Sequence, residues 1–195
     1  MKRLVFATNN LNKLKEVQTI IPSNIKLLSL KDIACFEDIP ETQNTIESNA
    51  IQKAEYIKTH YGYDCFADDT GLEVDALNGD PGVFSARYAG EQRDANDNMD
   101  KLLKALENNP KRAAQFKTVI ALEFEGKQHT FTGICKGDIT ATKQGNNGFG
   151  YDPIFKPLDY NLTFAEMDLE LKNEIGHRGK AVFQLIKFLK CINLK

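Results

Sequence analysis

The sequence predicts an α/β fold built on a mixed sheet. Three observations carry that expectation. Short apolar runs containing Val, Ile and Phe alternate with segments whose apolar residues recur at helical spacing. The alternation never settles into a strict strand–helix–strand rhythm, so the sheet is not expected to be all parallel. Midway along the chain two strand-like stretches flank a Glu-Gly-Lys turn, which marks a long antiparallel hairpin.

Taken in order, Arg3 to Thr8 reads as a first strand, and Leu14, Val17, Ile20 and Ile21 as the apolar side of a helix that follows a polar loop. Leu27 to Leu30 is a second strand. Asn44-Thr45-Ile46-Glu47 places a capping side chain three residues before a Glu, and Ile46, Ala50, Ala54 and Ile57 form one helical face behind it. Asp64 to Ala67 reads as a buried strand that Asp68-Asp69-Thr70-Gly71 should end, because Asp and Gly favour turns over strands. A loop with Gly79, Pro81, Gly82 and Gly90 leads to a helix marked by Met99, Leu102, Leu103 and Leu106 and closed by Asn108-Asn109-Pro110. The hairpin strands span Phe116 to Phe124 and Thr130 to Ile139, Gly145 to Pro153 is loop, and Val182, Leu185, Ile186 and Leu189 define the last helix. No internal repeat, low-complexity tract or linker interrupts the 195 residues, so a single domain over 1–195 is expected.

With 42% hydrophobic residues the chain can bury a core. Lys and Arg number 25 against 27 Asp and Glu, interleaved throughout, a balance that argues against nonspecific nucleic-acid binding. No stretch approaches a membrane span, and the apolar start breaks off at Thr8-Asn9-Asn10, so a cytoplasmic protein is expected. Cys35, Cys65, Cys135 and Cys191 are widely separated, which suggests four buried or half-buried thiols and neither a zinc site nor a disulfide framework. The chain carries no P-loop and no Gly-x-Ser-x-Gly elbow, and Gly145-Asn146-Asn147-Gly148-Phe149-Gly150 reverses the dinucleotide fingerprint.

Four features remain that could carry chemistry. Thr8-Asn9-Asn10-Leu11-Asn12-Lys13 lies between a strand and a helix start, where backbone amides attract anions; the plainer reading of that pattern alone is a solvated turn. Asp68-Asp69 cannot both face the core, because successive strand side chains point oppositely, so one projects where it can hold a metal or act as a base. Taken alone, an Asp-rich turn explains the pair equally well. Gly148-Phe149-Gly150-Tyr151-Asp152-Pro153 suits stacking on a planar base, or simply a hairpin loop with an anchoring ring. Lys172 with His177-Arg178-Gly179-Lys180 puts cations at the start of the final helix, against its dipole, where an anion or a carbonyl-rich ligand would explain them.

Together these segments, with Glu41-Thr42, Glu47-Ser48-Asn49-Ala50, Lys53-Ala54 and Pro81 to Tyr88, resemble the inosine/xanthosine triphosphate pyrophosphatase family in the family's own order. Two departures stand out: Pro40 replaces the first of two acids near Thr42, and Thr70 stands where Ser is more usual. The resemblance implies an elongated mixed sheet flanked by helices, two lobes around a nucleotide cleft, and a homodimer. It also implies hydrolysis of ITP, dITP and XTP to the monophosphate and pyrophosphate with Mg2+. Asp69 would be the catalytic acceptor and, with Glu41, a magnesium ligand. Thr8, Asn9, Asn10, Lys13, Lys53 and Thr70 would bind the triphosphate, and Phe149, Gly150, Tyr151, Asp152, Lys172, His177 and Arg178 the nucleoside. A noncatalytic nucleotide-sensing module and a pyrophosphatase for modified pyrimidines are the alternatives.

Overall fold

The computed structural model describes residues 2–192. Its strands are β1 (Lys2–Phe6), β2 (Ile25–Leu28), β3 (Cys65–Val74), β4 (Pro81–Gly82), β5 (Ala113–Phe124), β6 (Lys127–Ile139) and β7 (Phe155–Pro157). Its α-helices are α1 (Leu11–Ile20), α2 (Ile46–Tyr61), α3 (Ala95–Ala105), α4 (Leu169–Ile175) and α5 (His177–Ile192). The chain divides into two compact units: Met1–Asp69, Thr118–Gly133 and His177–Lys195 form the first, Thr70–Lys117 and Ile134–Gly176 the second. The strands β3, β5 and β6 contribute a segment to each.

In the first unit the strands run in the order β2-β1-β3-β5-β6. Both neighbours of β1 are parallel to it, while β5 and β6 form a hairpin, so the sheet is mixed. The hairpin turn places Glu125 and Gly126 at φ 49° and 75°, the pair of positive values that a type I′ turn needs and that Gly adopts without strain. One sheet face carries Leu4, Phe6, Phe66, Ile120, Leu122 and Phe124, packed against Val17 of α1 and Ala181, Val182, Leu185 and Leu189 of α5. Phe6 and Phe66 stack there at 4.5 Å. The intervening residues Cys65 and Ala67 face the other way, and the Cys65 thiol donates to the Ala54 carbonyl of α2 at 3.2 Å.

The second unit carries β3-β5-β6-β7 with β4 antiparallel to β3, and β7 is antiparallel to β6. Its core joins Leu72 and Val74 of β3, Met99 and Leu102 of α3, Phe116 of β5, and Phe155 and Phe164. Asp94 caps α3 by accepting from the Asn96 and Asp97 amides.

Several expectations shift. The cap of α2 is Thr45, whose side chain accepts from the Ser48 amide, because the chain is still extended there and turns helical only at Ile46; Asn44 lies one residue too early. The second strand starts at Ile25, two residues before Leu27, where its pairing with Lys2 begins. More consequential, Asp68-Asp69-Thr70-Gly71 does not end β3, which continues to Val74. Pairing with β4 at Leu72 and Glu73 and burial of Gly71 and Leu72 override the turn preference of Asp and Gly. Cys35, Cys65 and Cys135 are buried thiols, whereas Cys191 is exposed, against the expectation of four buried or half-buried ones, because it lies on the solvent side of α5. The helix α4 and the short strands β4 and β7 fall in stretches too short or too rich in Gly and Pro to show periodicity.

Close approach governs one junction. A Cβ on Gly133 of β6 would stand 2.0 Å from the His177 carbonyl oxygen and 2.6 Å from the Ala181 amide, so only glycine lets the start of α5 lie on the strand. Both neighbours are backbone and cannot rotate away. Gly133→Ala is expected to destabilise the protein by at least about 1–3 kcal/mol, read by denaturant unfolding; a midpoint equal to wild type would show that the helix can shift without cost.

Candidate active site

The site begins with the pleat of β3. Successive side chains alternate, so Asp68 shares a face with Phe66 toward α1 and α5, while Asp69 shares a face with Cys65 and Ala67 toward α2. A carboxylate inside a packed sheet must find cations or hydrogen-bond donors on its own face. Each Asp finds different ones.

On the first face Lys13 Nζ lies 3.0 Å from Asp68 Oδ1 and Arg178 Nε 3.0 Å from Asp68 Oδ2. Arg178 Nη1 also donates to Glu16, three residues beyond Lys13 on α1. Asp68 is 1% exposed and Arg178 4%. Burial alone would raise the Asp68 pKa, but Lys13 and Arg178 outweigh it and hold the carboxyl well below the usual range. For Lys13 burial dominates and lowers the pKa, Asp68 opposing it and Lys53 adding to it. Burial likewise works against the Arg178 charge, yet Asp68 and Glu16 together raise its pKa.

On the second face Lys53 of α2 reaches Asp69 Oδ1 at 3.2 Å and also contacts Glu41 Oε1. Burial disfavours the Lys53 charge, but two carboxylates converge on it and raise its pKa. Asp69 has to share that cation. Burial therefore prevails and its pKa is raised, with Lys53 only partly compensating. Glu41, more exposed, is lowered: burial opposes its charge and Lys53 outweighs burial.

The loop before α1 is organised by its own side chains. Thr8 Oγ1 accepts from the Asn10 amide at 3.2 Å, and Asn10 Oδ1, the N-cap of α1, accepts from the Asn12 and Lys13 amides at 2.9 and 3.2 Å. Asn9 is an exposed residue between them, and Thr70 follows Asp69 on β3, half-buried.

A separate cluster lies in the second unit. Asp152 Oδ2 accepts from the Phe149 amide at 2.7 Å and from Lys172 Nζ of α4 at 2.6 Å, and Lys172 sits 4.8 Å from the centre of the Phe149 ring. A Cβ on Gly148 would fall 2.0 Å from Asp152 Oδ2, and both Gly148 and Gly150 have positive φ, so this loop requires its glycines. Tyr151 is buried and its hydroxyl donates to the Ser85 carbonyl at 2.9 Å.

The residues expected at a nucleoside pocket thus fall into two groups. Phe149, Gly150, Tyr151, Asp152 and Lys172 come together in the second unit, whereas His177 and Arg178 open α5 in the first and are both buried. Lys53, Glu41 and Asp69 are brought together in the first, and Lys13, paired with Asp68 on the other face, is near enough to feel the charges of Lys53 and Asp69. Sequence reasoning missed Asp68 as the partner of Lys13 and Arg178, and missed Glu16. The signal for both was available: two cations placed against helix dipoles require anions, and Glu16 stands at helical spacing from Lys13.

A sequence model described as the Ham1 family matches residues 4–188. The chain belongs to the Ham1 family. Among its relatives, a dITP/XTP pyrophosphatase of Flavobacterium johnsoniae is 70% identical over 187 residues, 96% of this chain and 97% of that one. One of Flavobacterium psychrophilum is 65% identical over 96% of this chain and 99% of that one. The solved Staphylococcus aureus Ham1 protein is 40% identical with a TM-score of 0.89, covering 97% of this chain and 98% of that one. A HAM1 protein from Coxiella burnetii is 39% identical with a TM-score of 0.90, covering 97% and 99%. The mixed sheet flanked by helices is therefore the Ham1 fold.

The two carboxylates differ in what they do for a Ham1 chain's stability. The Asp68 pKa is depressed, so its contribution is present above the unfolded value of about 3.9 and is lost as pH falls through the folded value. Asp68→Asn should cost about 3–5 kcal/mol at neutral pH, because it strands buried cations, with the deficit shrinking in acid. Asp69→Asn removes a charge that burial disfavours and should leave stability within about 1 kcal/mol of wild type. Parallel urea titrations of the two variants check the contrast; equal losses would show that both acids serve the fold.

Proposed function

We propose that the chain hydrolyses non-standard purine nucleoside triphosphates, ITP, dITP and XTP, to the nucleoside monophosphate and pyrophosphate. One observation carries this reading: 70% identity to a protein named dITP/XTP pyrophosphatase extends over nearly the whole of both chains. The family match from residue 4 to 188 supports treating all 195 residues as one catalytic domain.

Magnesium fits the donor set on the α2 side. Asp69 and Glu41 converge on one cation, Lys53, both offer hard oxygens, and the raised pKa of Asp69 marks a carboxylate short of positive charge. Magnesium takes few protein carboxylates and completes its shell with water and phosphate oxygens. Asp69 and Glu41 would hold it, and when bound it would acidify water and offset phosphate charge. Beside the ion, Asp69 would orient the attacking water that the metal acidifies. As the bond between the α and β phosphates breaks, charge grows on the departing pyrophosphate, and Lys13 and Lys53 oppose it. Asp68 keeps Lys13 in place for that work. Thr8, Asn9, Asn10 and Thr70 complete the triphosphate contacts in this proposal.

Phe149, Gly150, Tyr151, Asp152, Lys172, His177 and Arg178 are proposed for the nucleoside. Donors aimed at the purine C6 oxygen would favour hypoxanthine and xanthine over adenine, which carries an amino group there. We further propose that the protein is cytoplasmic and, as the family resemblance implies, a homodimer. No helix among the described residues is long and apolar enough to cross a membrane.

A panel of ITP, dITP, XTP, GTP and ATP with magnesium and pyrophosphate detection tests the activity. Pyrophosphate release should be fastest from the first three. Binding without release would favour the nucleotide-sensing alternative, and turnover confined to modified pyrimidines would favour the other. Lys13→Ala should raise KM for ITP and also lower kcat by about tenfold or more, since a cation on the triphosphate acts most strongly as the leaving group gains charge. A rise in KM alone would assign Lys13 to ground-state binding.

A further inference from the structure

Glu41 stands on a stretch, residues 34–45, that contains neither helix nor strand. A side chain on so long an irregular segment is held in place only by what the segment is tied to. Here the ties form a register. The Gln43 amide donates to Asn49 Oδ1 at 2.8 Å. The Thr42 amide donates to Gln52 Oε1 at 2.9 Å, and Gln52 Nε2 donates back to Thr42 Oγ1 at 2.9 Å. Glu41 meets Lys53. Further back, Glu37 Oε1 accepts from the hydroxyls of Tyr56 at 3.2 Å and Tyr61 at 2.5 Å. As loop numbers fall from 43 to 37, helix numbers rise from 49 to 61, so the loop is laced antiparallel along α2. Asn49, Gln52, Lys53 and Tyr56 stand at i, i+3, i+4 and i+7, one stripe of the helix.

Within this lacing Gln52 holds the residue next to Glu41 by two reciprocal bonds, one to backbone and one to side chain. Together they tie both the backbone and the side chain of Thr42 to α2, which keeps the adjacent Glu41 beside Lys53. We propose that Gln52 is a positioning residue for metal binding: its amide places Glu41 so that Glu41 and Asp69 act on one magnesium ion. This rests on the reading that those two carboxylates hold the ion. Gln52 touches neither the substrate nor the ion; its effect passes through Thr42. Without it, Glu41 must be ordered by the metal itself, which weakens metal binding and leaves the filled site intact.

The test compares Gln52→Leu, Gln52→Glu and Glu41→Gln in the full chain. Gln52→Leu keeps the bulk and removes both bonds. Gln52→Glu retains an acceptor for the Thr42 amide, and the Thr42 hydroxyl can donate to it. The half-saturating magnesium concentration is read in two ways: from ITP turnover, and from the rise in melting temperature on titrating magnesium alone without nucleotide. Gln52→Leu should raise it about tenfold by both measures, the equivalent of about 1.4 kcal/mol. Its kcat at saturating magnesium should stay within about twofold of wild type, and Gln52→Glu should restore most of the affinity. If Glu41→Gln weakens magnesium binding and Gln52→Leu does not, the positioning role is overturned while the metal reading stands. If neither variant changes the magnesium dependence, Glu41 is not a metal ligand and the proposal falls with that reading. A Gln52→Leu variant with lower kcat and melting temperature but unchanged magnesium dependence would show a merely structural residue.

Discussion

The structure of the first unit turns on one constraint: two adjacent carboxylates on a strand that is packed on both faces. The pleat sends Asp68 and Asp69 in opposite directions, Asp68 into full burial and Asp69 into partial burial. Positive charge must therefore arrive from both sides. The helices α1 and α5 deliver Lys13 and Arg178 to one face, and α2 delivers Lys53 to the other. Lys13 and Arg178 both sit near helix N-termini, where the dipole disfavours a cation. Asp68 supplies the anion that makes both placements favourable. The glycine at 133, which lets α5 lie close on β6, belongs to the same requirement, since Arg178 is the second residue of that helix.

The two acids are consequently unlike despite being neighbours. Asp68 is met by two cations, Lys13 and Arg178, the second shared with Glu16, and its charge strengthens the fold. Asp69 shares one cation with Glu41 and keeps a charge that its surroundings under-compensate. A carboxylate of the first kind is a brace, and one of the second kind is available for a further cation or a proton. The second unit repeats the first pattern in miniature. Asp152 gathers the Lys172 ammonium and the Phe149 amide on a single oxygen, which places a cation against an aromatic ring.

Much of this was legible along the chain. Apolar spacing located α1, α2, α3 and α5, and the Glu125-Gly126 turn located the hairpin, because periodicity and turn chemistry are local properties. The end of β3 was misread for the same reason. Asp and Gly are turn formers when judged alone, and only strand pairing and burial on β3 could override them. The Thr45 cap displaced Asn44 by one residue because capping depends on where the backbone turns helical, and composition constrains that only loosely.

The sequence by itself determined the α/β class, the main helices and hairpin, and the residues from Thr8 to Arg178 that carry the family resemblance, since these rest on short-range spacing and residue chemistry. Only the tertiary structure decided how those residues are paired. Arg178 is 110 residues from Asp68 and 162 from Glu16, and no local pattern ties them. The difference between Asp68 and Asp69 was equally out of reach. Two identical side chains acquire opposite pKa shifts because a carboxylate's acidity is set by the number of cations packed on its face and by how far water is excluded, and both are properties of the folded sheet.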